Sequence, residues 1–148
     1  MLEAPVINGD GNYSRDFTYI DNVIQANELA AILPKEDILG KLKDYYSELG
    51  RKEGIVIDTP TVIMEVFNVA YGGNTTLFQL FEALKSNLAQ HNQDIAQIEV
   101  SVGEKRVGDI PHSLASVDKA KRVLGYKPEF NAAQGFASAC KWYINNFK

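Results

Sequence analysis

The sequence predicts an α/β domain in which several helices are joined by short strands. Three observations predict it: apolar residues recur at helical spacing in four stretches, the runs between them alternate or stay apolar as strands do, and glycine-rich turns separate the pieces. With 148 residues, 45% hydrophobic and 23% charged, the chain buries about 70% of its unfolded surface around one core. That composition excludes a disordered chain.

Taken in order, Pro5, Val6 and Ile7 form a short extended run entering Asn8-Gly9-Asp10-Gly11, a signal for a hairpin or a strand-to-loop reversal. From Ile20 the spacing becomes helical, with Ile20, Val23, Ile24, Asn27, Ala30 and Ala31 on one face and Pro34 as the stop. Asn27, inside that stripe, requires a partner. Residues 35–50 are charge-rich, yet Ile38, Leu39, Leu42, Tyr45, Tyr46 and Leu49 give an amphipathic helix that Gly50 ends. Val62–Met64 and Val66–Ala70 are predicted β structure, the second run stopped by Gly72-Gly73-Asn74. Leu77, Leu80, Phe81, Leu84 and Leu88 then define a helix, with Thr76 and Gln79 spaced as a capping box. Ile98–Val102 alternates as a half-buried strand, and 103–113 is a polar loop. Asp118 caps a short helix through Leu124, followed by Gly125, and a last helix places Phe136, Cys140, Tyr143, Ile144 and Phe147 on one face.

Fifteen Lys+Arg against nineteen Asp+Glu give a net charge of -4, with no basic cluster to neutralise a duplex backbone, so no nucleic-acid partner is expected. No apolar stretch reaches the roughly 18–20 residues of a membrane span, and Met1–Pro5 is no signal sequence. The expectation is a cytoplasmic protein without membrane contact. Cys140 is the sole cysteine, which excludes an internal disulfide and a structural zinc site, and it reads as a small buried hydrophobe. His91 and His112 have no metal-ligand spacing to a second donor and read as solvent-facing or hydrogen-bonded loop residues. No metal is expected.

Two arginine-aspartate pairs lie beside glycine turns: Arg15-Asp16 after Asn8–Gly11, and Arg106 and Asp109 around Gly108. An arginine fork matches two phosphate oxygens and a carboxylate can accept from ribose hydroxyls, so together they suit a nucleoside diphosphate. By residue type alone, the favoured reading is that each arginine simply pairs with an aspartate on the surface, such pairs being common and worth little. No GxGxxG, GxxGxxG, YxxxK, GxSxG or HExxH motif occurs.

The runs NGDGNYSRDFTYIDNVIQANELA (Asn8–Ala30), FNVAYGGNTTLFQL (Phe67–Leu80), RVGDIPHS (Arg106–Ser113) and SVDKAKRVLGYKP (Ser116–Pro128) resemble, in order, the C-terminal half of NAD-dependent nucleotide-sugar epimerases/dehydratases of the extended short-chain dehydrogenase type. Within that family the runs resemble most the bacterial UDP-N-acetylglucosamine 4-epimerases and their UDP-glucuronic-acid-type relatives. The resemblance implies the C-terminal substrate-binding lobe of such an enzyme, several helices with short strands and the Rossmann sheet absent, spanning residues 1–148. It implies that NAD and the YxxxK pair belong to a missing N-terminal Rossmann domain, with no cofactor bound by this chain and no catalytic residue in it. The isolated chain is then expected to be inactive.

Carried over by position, Arg15 and Arg106 match arginines that clamp the UDP pyrophosphate, and Asp109 matches the aspartate that accepts from the ribose. Ser113, four residues after Asp109, matches the position against the sugar ring, where a small residue resembles members that take a 2-N-acetyl group. The stretch 34–61 exceeds the expected connection and reads as a helical insertion. The FNV run would add a strand to the absent sheet, and an orphan apolar edge invites self-association. The reading is UDP-sugar recognition within a 4-epimerase of UDP-hexose or UDP-N-acetylhexosamine. Its alternatives are a sugar-nucleotide dehydratase or decarboxylase lobe and a free-standing, non-catalytic binding module.

Overall fold

The first strand finds its partner far along the chain. In the computed structural model, which describes residues 3–146, β1 (Val6–Asn8) pairs in parallel with β4 (Ser101–Gly103), Val6 lying opposite Ser101. A second two-stranded piece joins β2 (Ser14–Arg15) antiparallel to β3 (Thr75–Thr76). Around these stand α1 (Ile20–Ile32), α2 (Lys35–Glu53), α3 (Leu77–Leu88), α4 (Ala132–Asn146), a 3-10 turn at Gln93–Gln97 and a π turn at Ala120–Leu124. The result is the expected α/β lobe, rich in helix and poor in strand. Among the described residues no helix is long and apolar enough to cross a membrane.

The core has two joined parts. Ala26, Ala70, Val117, Ala120 and Tyr126 form one, and Ile38, Leu42, Val123 and Leu124 form the other; Leu29 and Phe67 pack against both. The Tyr126 hydroxyl is satisfied inside it, donating to the Ala70 carbonyl at 2.9 Å. Beside this core α3 packs along α4. Gly135 of α4 lies so close to Tyr19 that a Cβ there would stand 2.8 Å from the Tyr19 Cβ.

Five local expectations are corrected. On α1 the predicted stripe faces outward: Ile20 and Ile24 are exposed, and the buried residues are Asn22 and Ala26. Polar chemistry sets this face, because the Asn22 carboxamide donates to the Phe130 carbonyl at 2.7 Å and accepts from the backbone N–H of Glu129 and Phe130 at 2.9 and 3.1 Å. Three bonds in a buried position outweigh the apolar count of the other face. Asn27 is exposed and donates to the Val23 carbonyl of its own helix.

α2 runs through Gly50 to Glu53 and ends at Gly54, which takes the left-handed conformation at φ +67°. Gly50 is buried instead, where a Cβ would meet the Ile55 carbonyl at 2.8 Å. The run 62–70 is extended but joins no ladder. Its side chains still alternate, Val62, Met64 and Val66 outward and Ile63, Glu65, Phe67 and Val69 inward. The fourth correction is at Ile98–Val102, where pairing is confined to Ser101–Gly103 because the 3-10 turn holds the Ile98 N–H on Ile95.

The capping box of α3 is present as expected, Gln79 N–H donating to Thr76 Oγ1 at 3.1 Å and Thr76 N–H to Gln79 Oε1 at 2.8 Å. Asp118 does not cap the next helix as expected, since helical turns begin at Asp118 itself; they close at Gly125, φ +74°. Cys140 is buried, and burial pushes its thiol pKa up. Phe147, expected on the same face of α4, lies outside the described residues.

Candidate functional site

The site is built where the Asn8–Arg15 segment meets the loop after β4. Gly9 and Gly11 both take positive φ, +78° and +73°, and a Cβ on Gly11 would stand 2.1 Å from the Phe78 ring. This turn therefore closes directly over the start of α3, where the Leu77 and Phe78 N–H groups donate to the carbonyls of Tyr13 and Gly11 at 3.0 and 3.2 Å. Those donors of the helix N-terminus are satisfied by the chain itself.

From there Ser14 gathers the distant loop. Its N–H donates to the Pro111 carbonyl at 2.9 Å, its carbonyl accepts from Ser113 N–H at 3.1 Å, and its buried hydroxyl lies 2.8 Å from His112 Nδ1. The segment 109–113 is thus laid parallel along β2, and this brings Asp109 to Arg15. The guanidinium donates to Asp109 Oδ1 at 2.8 Å and to the carbonyls of Ser14 and Pro111 at 2.9 and 3.4 Å. Arg106 is placed by the other ladder: pairing sets Asn8 opposite Gly103, and Arg106 Nη2 and Nε lie 2.9 and 3.0 Å from the Asn8 amide oxygen turned toward them. Gly108, at φ +80°, closes the turn between Arg106 and Asp109.

Arg15, Asp109 and Ser113 therefore converge on β2, with Arg106 at the neighbouring strand end. The arginines do not pair with their sequence neighbours. Asp16 instead accepts from Gly72 N–H at 3.1 Å and Gly73 N–H at 3.3 Å, and Arg15 pairs across the chain. That ion pair is one-third exposed at Arg15 and about a quarter at Asp109, 34% and 27%, so water screens it and its worth to stability is small. The guanidinium can therefore leave Asp109 for another anion at little cost. Ser113 is exposed, its backbone fixed by Ser14.

Sequence reasoning passed over Asn8, Tyr13 and Lys105. Tyr13 is buried at 8% exposure, its hydroxyl has no hydrogen-bond partner among the described residues, and the Lys105 ammonium lies 5.4 Å from its ring centroid. The neighbouring Tyr13 hydroxyl comes first among the causes that hold the Lys105 pKa above its ordinary value, Asp10 and Asp109 adding to it, although ammonium and hydroxyl do not complete a hydrogen bond. The one usable signal was spacing: Tyr13 and Arg15 are two apart on an extended segment and share a face. His112 is the hydrogen-bonded loop residue expected.

Other features are not suited to an anion. A cleft of about 440 Å³ between residues 17–20 and α4 is lined by Phe17, Tyr19, Ile20, Phe136 and Trp142 among others, none of them charged. The described residues hold no group of three or more His, Cys, Asp or Glu side chains able to bind a metal. The glycine turn before α3, Gly72-Gly73, has its N–H groups on the Asp16 carboxylate. An anion is already there.

Fold and sequence together relate this chain to UDP-sugar 4-epimerases, matching the C-terminal part of those proteins. A putative UDP-glucose 4-epimerase of Methanocaldococcus jannaschii is 26% identical over 144 residues, 97% of this chain and 35% of that protein. Among solved structures, UDP-glucose 4-epimerase of Thermotoga maritima with UDP-glucose is 27% identical at a TM-score of 0.70, covering 99% of this chain and 36% of that one. UDP-N-acetylglucosamine 4-epimerase of Methanobrevibacter ruminantium, in complex with UDP-N-acetylmuramic acid, is 28% identical at 0.65, covering 98% and 36%. The chain thus spans about a third of the length of the proteins it matches. Other solved epimerases of this fold hold NAD with UDP-glucuronic acid, and at 19% identity they share the fold alone. No protein-family model matches the chain.

Proposed function

We propose that this chain is the nucleotide-sugar-binding lobe of an NAD-dependent UDP-sugar 4-epimerase. The observation that carries the reading is the meeting of Arg15 and Asp109 on β2, with Arg106 held on Asn8 at the end of β1, in a chain whose relatives act on UDP-sugars by name. Arg15 and Arg106 clamp the pyrophosphate, and Asp109, released from Arg15, accepts from the ribose. Ser113 stands against the sugar, and its small side chain leaves room for a 2-N-acetyl group, which favours UDP-hexose or UDP-N-acetylhexosamine as substrate. NAD, which takes and returns hydride in such enzymes, and the groups that move the proton belong to an N-terminal Rossmann domain outside these 148 residues. The run 62–70 is the edge that joins that domain's sheet, and in its absence the chain self-associates there.

UDP titration of the chain tests the lobe directly. Arg15→Ala and Arg106→Ala are each expected to weaken UDP by about tenfold to a hundredfold, the worth of one charge-assisted contact, about 1.5–3 kcal/mol. Unchanged affinity in both variants would refute the site. Joined to its Rossmann domain, the protein is expected to convert UDP-N-acetylglucosamine to its 4-epimer, whereas loss of water would mark a dehydratase. The chain alone is expected to turn over nothing.

A further inference from the structure

We infer that Tyr13 is a further ligand-binding residue of this site, its hydroxyl donating to an anionic oxygen of the diphosphate while Lys105 neutralises the charge on that oxygen. The inference rests on the nucleotide-sugar reading above and adds a contact to it. Side chains alternate along an extended segment, so Tyr13 and Arg15 leave one face of it and Ser14 the other. Ser14 turns to His112, and Arg15 meets Asp109. Tyr13 meets Lys105, from the same loop as Asp109.

The hydroxyl is the part that needs explaining. It is buried, and none of the described residues accepts its proton, a condition that most buried polar groups avoid. Lys105 cannot relieve it, because an ammonium only donates. What is missing is an acceptor, and an anionic oxygen between the two satisfies the phenol and the ammonium together. The position suits one. Lys105 is an exposed, flexible side chain next to Arg106, and among the described residues neither of these cations lies in an ion pair. The Lys105 ammonium lies over the ring that carries the hydroxyl, and a ligand that draws it aside reaches the phenol. Phenylalanine would fill the same space without the unsatisfied group, so the hydroxyl's presence is accounted for by binding rather than by packing.

The test is UDP titration by calorimetry, with thermal melting, on the 148-residue chain and its Tyr13→Phe variant. The expected result is UDP bound about tenfold more weakly by Y13F, with a melting temperature equal to or above that of the unmodified chain. Lys105→Gln is expected to weaken UDP as well, again without loss of stability. Equal UDP affinity in Y13F overturns the inference while leaving the lobe reading intact. A fall in both affinity and melting temperature also overturns it, since the hydroxyl would then be holding the loop. If the unmodified chain binds no UDP, the lobe reading itself fails and the inference with it, so the two failures are distinct.

Discussion

Two extended segments cross the body of this lobe and are held in opposite ways. The segment 109–113 is fixed by its backbone, with Ser14 bonding to Pro111 on one side and Ser113 on the other. The run 62–70 is fixed by side chains: Phe67 and Val69 pack on the core, Glu65 accepts from Tyr46 at 2.8 Å and Lys119 at 3.0 Å, and Asn68 donates to the Ser116 carbonyl at 3.2 Å. In isolation the first reads as part of a polar loop and the second as β structure. The first segment spends its backbone groups internally and so can present Asp109 to Arg15 rigidly. The second leaves its backbone edge unladdered beside an outward row of Val62, Met64 and Val66, which are 58%, 90% and 81% exposed. A site and an edge need these different kinds of support.

The largest effect follows from removing the side chain that pins the second segment. Phe67 packs against both parts of the core and accepts the Lys119 ammonium 5.2 Å from its ring centroid. Phe67→Ala is expected to cost about 3 kcal/mol, the low end of such truncations because the ring is half-buried. Urea unfolding measures it, and limited proteolysis locates it. Cleavage within 62–70 should appear at lower urea than exchange of the hydrogen-bonded amides of Ser14 and Ser113; simultaneous onset in both segments would show that they are one cooperative unit.

What was legible in the sequence divides along the same line. The spacing of Leu77 to Leu88 and the Thr76/Gln79 box act over one or two turns, so α3 was readable residue by residue. The loops bearing Arg15, Arg106, Asp109 and Ser113 were readable as contiguous motifs. The pairing of Arg15 with Asp109 rather than Asp16 was not, because Gly72 and Gly73 claim the Asp16 carboxylate from far along the chain. The buried face of α1 was misread for a related reason: Asn22 turns inward to backbone groups of Glu129 and Phe130, and no local count of apolar residues reveals them. At 62–70 the alternation was correct and the ladder was not, since period-two spacing reports where side chains go and says nothing of a neighbouring strand.

An alkaline titration sharpens the contrast, because the clamps on 62–70 are titratable. For Tyr46 and Tyr126 burial is the first cause of a pKa raised above the ordinary 10.0. For Lys119 burial pulls down, but Glu65 outweighs it and the pKa stands above 10.5. Groups whose folded pKa is raised contribute stability that is complete below their unfolded pKa and lost as pH climbs through the folded value. The loss should begin near pH 10 and reach 62–70 first, with the backbone-held 109–113 segment following only on global unfolding. Opening of 109–113 ahead of 62–70, followed by NMR from pH 8 to 11, would contradict this.

The smallest change in stability is expected on the outward face. Met64→Lys with Val66→Lys alters side chains that point to solvent, and surface changes of this kind stay within about 0.5 kcal/mol. The effect on association should be large, because lysines along an unladdered edge repel a second copy brought alongside. If the chain self-associates through this run, light scattering at high concentration finds oligomers in the unmodified chain and monomers in the double variant, while UDP binding by the distant arginine site is unaltered. A clean monomer before substitution removes self-association from the account. Oligomers that survive both lysines move the contact elsewhere, and the exposed Ile20 and Ile24 of α1 become the next surface to change.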